Sequence, residues 1–569
     1  MSITWRVYSF SIGTICLLLF APLWQCSGYG QYFTDEKSKN KQNTMQEDVT
    51  VTYTIGGTVS GLSGTLVLQN NGSDDLTITG NGSFSFSTGL ANGSVYDVSV
   101  KTNPISQVCQ IQDNQGTVAG ADVTNIQIQC SSDTNWVQDA YLKASNSGTN
   151  DQFGYSLAVS GSTVVVGAPY EDSNQTAITN TDGGSGGTDP STTEDRGAVY
   201  VFKRDASGNW IQDAYLKASN SGTNDQFGYS VAVSGSTIVV GAPYEDSNQT
   251  AITNTDGGSG GTDPSTTEDR GAVYVFQLDA SGNWIQDAYL KASNIDTSDA
   301  FGNSVAISGS TIVVGAPNED SNQTFITNAD GSASADNTVG DSGALYVFKR
   351  DTNGNWIQDA YLKASNADTN DFFCQSVAIS GSTIVTGACA EDSSQTFITN
   401  TDGSASTDNT VTDSGAAYVF KRDASGNWIQ DAYLKASNAE TNDFFGKSVA
   451  ISGSTIVVGA YWEDDNQSSI TNTDGSAAAA NGLTDSGAVY VFKRDASGNW
   501  IQDAYLKASN ASFDDQFGNS VAISGSTIVV GAYFEDSDQN SITNMDGSNG
   551  GTDPSATEDR GAVYIFKAF

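Results

Sequence analysis

From Trp136 to its last residue the chain writes one text six times. The heptapeptide DAYLKAS begins at residues 139, 213, 287, 359, 431 and 503. Phe153, Phe227, Phe301, Phe373, Phe445 and Phe517 mark one point of successive copies, spaced 74, 74, 72, 72 and 72 residues apart. Such a unit buries its apolar face on its neighbours, so the repeat fixes the architecture. Copy two holds four strand-like runs, FGYSVAVSG, STIVVGAP, GAVYVFQLD and NWIQDAYLKAS. In the first, Phe227, Tyr229, Val231 and Val233 alternate with Gly228, Ser230, Ala232 and Ser234, a bulky face against a smooth one, as stacked sheets require. Four strands per unit with radial repetition predict a β-propeller, and a solenoid of sheets is the alternative.

The ends of the array speak for closure. Its first element is a lone NWVQDAYLKAS strand, and its last copy stops at GAVYIFKAF, lacking that strand. The Trp136 strand can therefore complete the sixth blade and leave no unpaired edge at the seam. The expected fold is all-β: a six-bladed β-propeller of four-stranded blades over 133–569, closed by an N-terminal strand and preceded by a small β-sandwich.

That sandwich is read over 51–132, where GTLVLQ, DLTIT, SFSFS and YDVSVKT alternate apolar and polar residues between Gly- and Asn-rich turns. It resembles a small immunoglobulin-like module. Cys109 and Cys130 are its only cysteines and are paired here. Upstream, Arg6 precedes an apolar run from Val7 to Trp24, which reads as a secretory signal over 1–26, with a retained membrane anchor as the alternative. LWQC, ending at Cys26, resembles a lipobox and makes Cys26 a candidate for lipidation. Residues 27–50 are polar and read as a flexible tether. The chain is thus expected to be exported, to the outer membrane, cell surface or extracellular space, and to be monomeric. A membrane contact is expected only through an N-terminal lipid.

Composition narrows the chemistry. Asp and Glu total 65 against 24 Lys and Arg, a net charge of −41, and there is no histidine. Such a surface repels nucleic-acid backbones and anionic lipid while favouring cations and basic partners. Lack of histidine removes the commonest general base and metal-binding imidazole. With near-equal copies instead of one unique site, an enzyme is not expected.

FG followed by VVGAP and GAVYVF is similar to the FG-GAP repeat of integrin α-subunit propellers. Copies one to three keep it fully, as in Phe153-Gly154 with Gly167-Ala168-Pro169, whereas copies five and six read GAY. The resemblance covers Trp136 to Phe569. It implies a propeller whose long-loop face meets ligand, although integrin propellers have seven blades and six are counted here. Their calcium loop lies between the first and second strands, where this chain has only SGS, so that site is not carried over.

The acidic residues recur elsewhere, in a connection of about 28 residues between second and third strands. A Glu-Asp pair follows the second strand, with Asp172, Asp246, Asp320, Asp392, Asp464 and Asp536 as its second members. An Asp-Gly comes next, at Asp182, Asp256, Asp330, Asp402, Asp474 and Asp546, and a last Asp precedes the third strand at Asp195, Asp269, Asp341, Asp413, Asp485 and Asp559. Oxygen ligands of this kind suit Ca²⁺, and three carboxylates per blade could hold one ion; ordinary turn chemistry is the alternative. Loops this long are usually functional or mobile, and all are expected on one rim. The functional expectation is a surface or extracellular binding and adhesion protein whose acidic loop face takes a protein or glycan, with Ca²⁺ as cofactor. The alternatives are a structural matrix component and a carboxylate-dependent glycan-active enzyme.

Copy four departs from its sisters at Cys374 and Cys389. If Gly381-Ser382 forms a two-residue hairpin loop, opposite residues sum to 763, which sets the two cysteines face to face. Opposite α-carbons are roughly 4.5–5.5 Å apart, so a disulfide is expected. Two buried free thiols are the alternative.

Overall fold

The computed structural model describes residues 51–567 except 105–106, 133–138, 181–193, 206, 255–266, 329–335, 401–404, 406, 468–469, 473–481 and 537–559. The chain divides into two compact units, Met1–Thr134 and Asn135–Phe569. The signal, tether and lipidation expectations, Cys26 included, lie outside the described residues.

The first unit is built of two four-stranded sheets. One orders Gly82–Ser85, Ile55–Ser60, Val123–Ser132 and Gln107–Gln112; the other orders Asp74–Ile78, Leu66–Asn70, Val95–Thr102 and Gln115–Thr117. Their alternating apolar residues meet in one core that includes Ile55, Val59, Leu66, Leu68, Val98, Ile126 and Ile128. Cys130 lies directly opposite Cys109 in the ladder, and the two form the expected disulfide.

The second unit is a six-bladed β-propeller. Blades one to five are four-stranded antiparallel sheets whose strands neighbour one another in chain order. Blade two is typical, with Ser230–Ser234, Thr237–Ala242, Ala272–Leu278 and Trp284–Leu290. Blade six has Phe517–Ser524, Thr527–Ala532 and Ala562–Lys567, and no fourth strand among the described residues. The strand expected to complete it begins at Trp136, outside the described residues. Asp139–Asn146, which follows, forms no strand.

Val- and Ile-rich runs fill the middle strands, and the first hairpin turns at Gly235, whose φ of 58° favours glycine. Between the third and fourth strands each complete blade carries a bulge. In blade two Val275 pairs with Ala288 but Phe276 pairs with Gln286, leaving Asp287 unpaired on the ladder. The bulge turns Asp287 toward blade three, where its carboxylate accepts Trp356 Nε1–H at 2.9 Å and pairs with Arg350 at 2.7 Å. Arg350 in turn lies 4.5 Å over the Trp356 ring. Trp284, Trp356, Trp428 and Trp500 are almost wholly buried and serve packing between blades, not ligand stacking.

The hydrophobic core lies between blades. Val239, Val273 and Val275 of blade two meet Ile312, Val314, Tyr346, Phe348 and Trp356 of blade three in one cluster. The FG dipeptide is the key of this junction. Phe301 packs edge-on to Tyr346 at 5.3 Å and forms a parallel bridge to Gly271 of the preceding blade. A Cβ on Gly271 would stand 2.1 Å from the Phe301 carbonyl oxygen, so only glycine admits that approach.

Candidate functional site: the loop-bearing end of the blades

The two members of each Glu-Asp pair have separate tasks. Glu245 points inward and is wholly buried. Its Oε2 meets Lys291 Nζ at 2.8 Å, while its Oε1 accepts from Tyr289 OH at 2.9 Å and from Asn220 Nδ2 at 2.8 Å. Lys291 also donates to the Gly271 carbonyl at 2.6 Å, and Asn220 Oδ1 accepts from Tyr274 OH at 2.7 Å. Because Asn220 precedes blade two while Glu245 and Tyr274 lie within it, the Asn220 bonds tie the link from blade one into blade two. The ion pair recurs at Lys217–Glu171, Lys363–Glu319, Lys435–Glu391 and Lys507–Glu463.

The Asp of the pair clamps the connection where it returns. Asp172 Oδ1 accepts the main-chain N–H groups of Glu194 at 2.7 Å and Asp195 at 2.8 Å, and Asp246 does the same for Glu268 and Asp269. In blades three to five the clamp takes one N–H, from Asp341 to Asp320 at 2.8 Å, from Asp413 to Asp392 at 2.7 Å and from Asp485 to Asp464 at 2.7 Å. Asp195, Asp269, Asp341, Asp413 and Asp485 all have positive φ, so the returning chain turns at this residue.

The structure therefore brings the first and third recurrent carboxylates together in blades one to five. Asp182, Asp256, Asp330, Asp402, Asp474, Asp546 and Asp559 lie outside the described residues; Asp536 is described and buried. Burial and then the charge of its clamp partner raise the pKa of Asp195, Asp269, Asp341 and Asp413. Asp485 is pushed to about 6 by burial, Asp464 and Asp514. Among the described residues no group of three or more Cys, Asp or Glu is assembled around a point that a metal could occupy.

A third set of acids escaped the sequence reading. Asp151, Asp225, Asp299, Asp371, Asp443 and Asp515, each two residues before the phenylalanine that marks its copy, are buried. Their Oδ2 atoms accept a main-chain N–H three residues earlier, at 2.6–2.9 Å. Asp299, Asp371 and Asp443 are pushed to about 8, by burial first and by neighbouring carboxylates after it. The signal was their fixed place before FG.

The outgoing part of each connection does not stay on the rim. It runs along the blade's outer edge, where Thr253 exchanges two main-chain hydrogen bonds of 2.9 Å with Tyr289, and the same bridge joins Thr179–Tyr215, Thr327–Tyr361, Thr399–Tyr433 and Thr471–Tyr505. The next residue crosses to the neighbouring blade, Asn254 Nδ2 donating to the Trp356 carbonyl at 3.0 Å. The first leg of each connection thus covers the outer strand and protects a sheet edge. On this leg Phe325 and Phe397 of blades three and four stand out to solvent.

The expected Cys374–Cys389 disulfide is not formed; both are buried free thiols. The hairpin register holds as far as Ser376 and Gly387, but Phe373 pairs with Ala388, so Cys374 falls in a bulge. With φ at 73° it turns to blade three, its Sγ donating to the Ala344 carbonyl at 2.8 Å. Burial pushes the Cys389 thiol up to about 11 against the pull of Lys447 in blade five. The bulge thus sends the two sulfurs to opposite junctions.

The family described as FG-GAP repeat matches residues 136–202, 210–276, 284–348, 356–420, 428–492 and 500–566. No curated protein matches the chain. Among solved structures, an ancestral GH74 enzyme is similar over 89% of this chain and 68% of its own, at 13% identity and a TM-score of 0.17. BcpA, the major pilin subunit of Bacillus cereus, is similar over 83% of this chain and 97% of its own, at 8% identity and a TM-score of 0.10.

Proposed function

We propose that this chain, which belongs to the FG-GAP repeat family, is an exported surface or extracellular binding and adhesion protein that meets a protein or glycan with the loop-bearing end of its propeller. FG-GAP repeats usually form binding domains without catalysis. The observation that carries the reading is the division of labour within each repeat. Buried Glu–Lys pairs and Asp clamps fix the base of each long connection, while the connection itself packs no core of its own among the described residues. Long segments on a rigid base are where recognition is placed. An integrin-like mode of ligand binding, the immunoglobulin-like reading of residues 51–132, the N-terminal signal and a lipid on Cys26 belong to this proposal as well.

Calcium enters it through the clamp. Asp172 and Asp195, like their counterparts, set two carboxylates near each other, and each pair raises the proton affinity of its second member. A hard cation bound there, with oxygens of the connection completing its shell, would relieve that repulsion. Screening the full chain against arrays of glycans and extracellular proteins, with Ca²⁺ and with chelator, tests both parts. Saturable binding that Ca²⁺ strengthens is expected, together with a thermal midpoint that rises with Ca²⁺. Blank arrays would favour a structural matrix role, and a midpoint indifferent to Ca²⁺ would remove the cation.

A further inference from the structure

The repeats are near-equal, yet blades one and two share a feature that the others lack. FG is followed there by Tyr155 and Tyr229, and GAP by Tyr170 and Tyr244. Blade three has Asn303 and Asn318 at these two places, blade four has Gln375 and Ala390, and no other blade has tyrosine at either. Both places lie at the loop-bearing end. In blade two, one immediately precedes the first strand, Ser230–Ser234, and the other follows the second, Thr237–Ala242. The four rings meet across the junction of blades one and two. The Tyr155 centroid lies 5.0 Å from that of Tyr229 and 6.3 Å from that of Tyr170, and Tyr229 lies 6.0 Å from Tyr244. Tyr155 is exposed, and the other three are half-buried.

The polar groups beside these rings are mixed in kind. Asp195 and Asp269, where the two connections return, lie near Tyr170 and Tyr244. Burial first, then neighbouring phenols and these carboxylates, raise the pKa of both tyrosines. Their hydroxyls therefore stay protonated and can donate as well as accept. The residue after each Asp is arginine in blades one and two, but a buried serine, such as Ser342, in blades three to five. Arg196 Nε donates to Glu194 at 2.7 Å, and its guanidinium also donates to the Ser221 carbonyl at 2.8 Å. Arg270 likewise pairs with Glu268. Each guanidinium offsets one carboxylate, so this corner of a strongly acidic chain offers ring faces, hydroxyls and acceptor oxygens with part of its charge balanced.

We infer that the cluster of Tyr155, Tyr170, Tyr229 and Tyr244 is the subsite at which the loop-bearing end takes a neutral glycan, one per chain. This rests on that end being the binding face. Ring faces cover the C–H side of a sugar, while the phenol hydroxyls and the carboxylates of Asp195 and Asp269 meet its hydroxyls. A sialylated or sulfated glycan is opposed by the chain's net charge of −41. A cationic ligand finds Glu194 and Glu268 already taken by Arg196 and Arg270. Blades three to five keep the buried Glu–Lys pair and the Asp clamp without the rings. The shared base thus holds the connections, and the tyrosines select the ligand at one junction of an otherwise even array.

The full chain on an array of neutral, sialylated and sulfated glycans, with a hexaarginine peptide spotted beside them, gives the first test. Binding to neutral glycans is expected, and calorimetric titration with the strongest of them should find one site per chain. No neutral glycan bound, signal confined to the anionic glycans or to hexaarginine, or several equal sites per chain would overturn the inference. Tyr155→Leu and Tyr244→Leu, at the two ends of the cluster, should each weaken the titrated glycan about tenfold through loss of a ring face. Tyr244→Phe keeps the ring and its packing and should lose less, and Asn303→Ala, at the same place in blade three, should lose nothing. Urea midpoints of all four variants separate lost binding from lost folding, and Tyr155, being exposed, is the position where the fold tolerates Leu most readily. Unchanged affinity in both Leu variants would overturn the subsite. A ligand lost on replacing residues 329–335 with a Gly-Ser loop but kept by both Leu variants would sink the cluster and leave the binding end standing; a ligand insensitive to all of these changes would sink both.

Discussion

Asn254 of blade two holds Trp356 of blade three by both edges of its main chain, accepting its N–H at 2.6 Å and donating to its carbonyl at 3.0 Å. The same double bond joins Asn180 to Trp284, Asn328 to Trp428 and Asn400 to Trp500. One polar side chain on a connection therefore pins that connection to the outer strand of the following blade. Asn254→Ala removes both bonds and leaves a main-chain pair unsatisfied, so a loss of about 1–3 kcal/mol is expected from urea unfolding. Asn254→Asp keeps the acceptor alone and should fall between.

The buried pair of Lys291 and Glu245 gives a larger effect. Lys291→Met leaves the Glu245 carboxylate buried without its ion partner, and a loss of about 3–5 kcal/mol is expected. Adding Glu245→Gln removes the orphaned charge while keeping an acceptor for Tyr289 and Asn220. The double variant should therefore be more stable than Lys291→Met alone. A double-mutant cycle on unfolding free energies checks the order.

Stability should fall as pH rises from weakly acidic to weakly alkaline. Asp299, Asp371 and Asp443 have folded-state values of about 8, raised chiefly by burial, against about 3.9 in an unfolded chain. The folded state holds these protons more tightly. Their contribution is complete below about pH 4 and is lost as pH climbs through about 8. Asp371→Asn keeps an acceptor for the Asp368 N–H and removes one titration, so the urea midpoint measured from pH 5 to 9 should slope less than in the parent.

The thiols give a chemical check. Cys374 and Cys389 should resist a thiol reagent in the native protein and react on unfolding without any reductant. Peptide mapping should find the Cys109–Cys130 disulfide alone between these four residues. A Cys374–Cys389 linkage in native protein would contradict the bulge.

Much of the architecture was legible because the repeat states it six times. Strand order and the Gly235-type hairpin follow from alternation and spacing, and the Cys109–Cys130 pairing from their being the only cysteines of 51–132. Side chains whose partners are distant in sequence were not legible. Nothing local distinguishes Glu245 from Asp246, yet one reaches Lys291 across the sheet and the other caps the far end of its own connection. The Cys374 register failed because a counting rule assumes a regular ladder, and one residue with φ at 73° breaks it. Asn254 reads as a turn residue until the chain of blade three is beside it.

The central claim is that the loop-bearing end of the propeller does the binding and the opposite end is passive. The direct measurement is the affinity of the full chain for its best array ligand, compared with two variants. In one, the stretch of the blade-three connection from Ala329 to Ala335, beyond the Thr327 and Asn328 pins, is replaced by a short Gly-Ser loop; in the other, Ser236 and Ser310 on the opposite hairpins become Lys. The account predicts at least a tenfold loss, about 1.4 kcal/mol, in the first and an unchanged Kd in the second. Equal binding by the loop-replaced variant, or a loss confined to the hairpin variant, would contradict it.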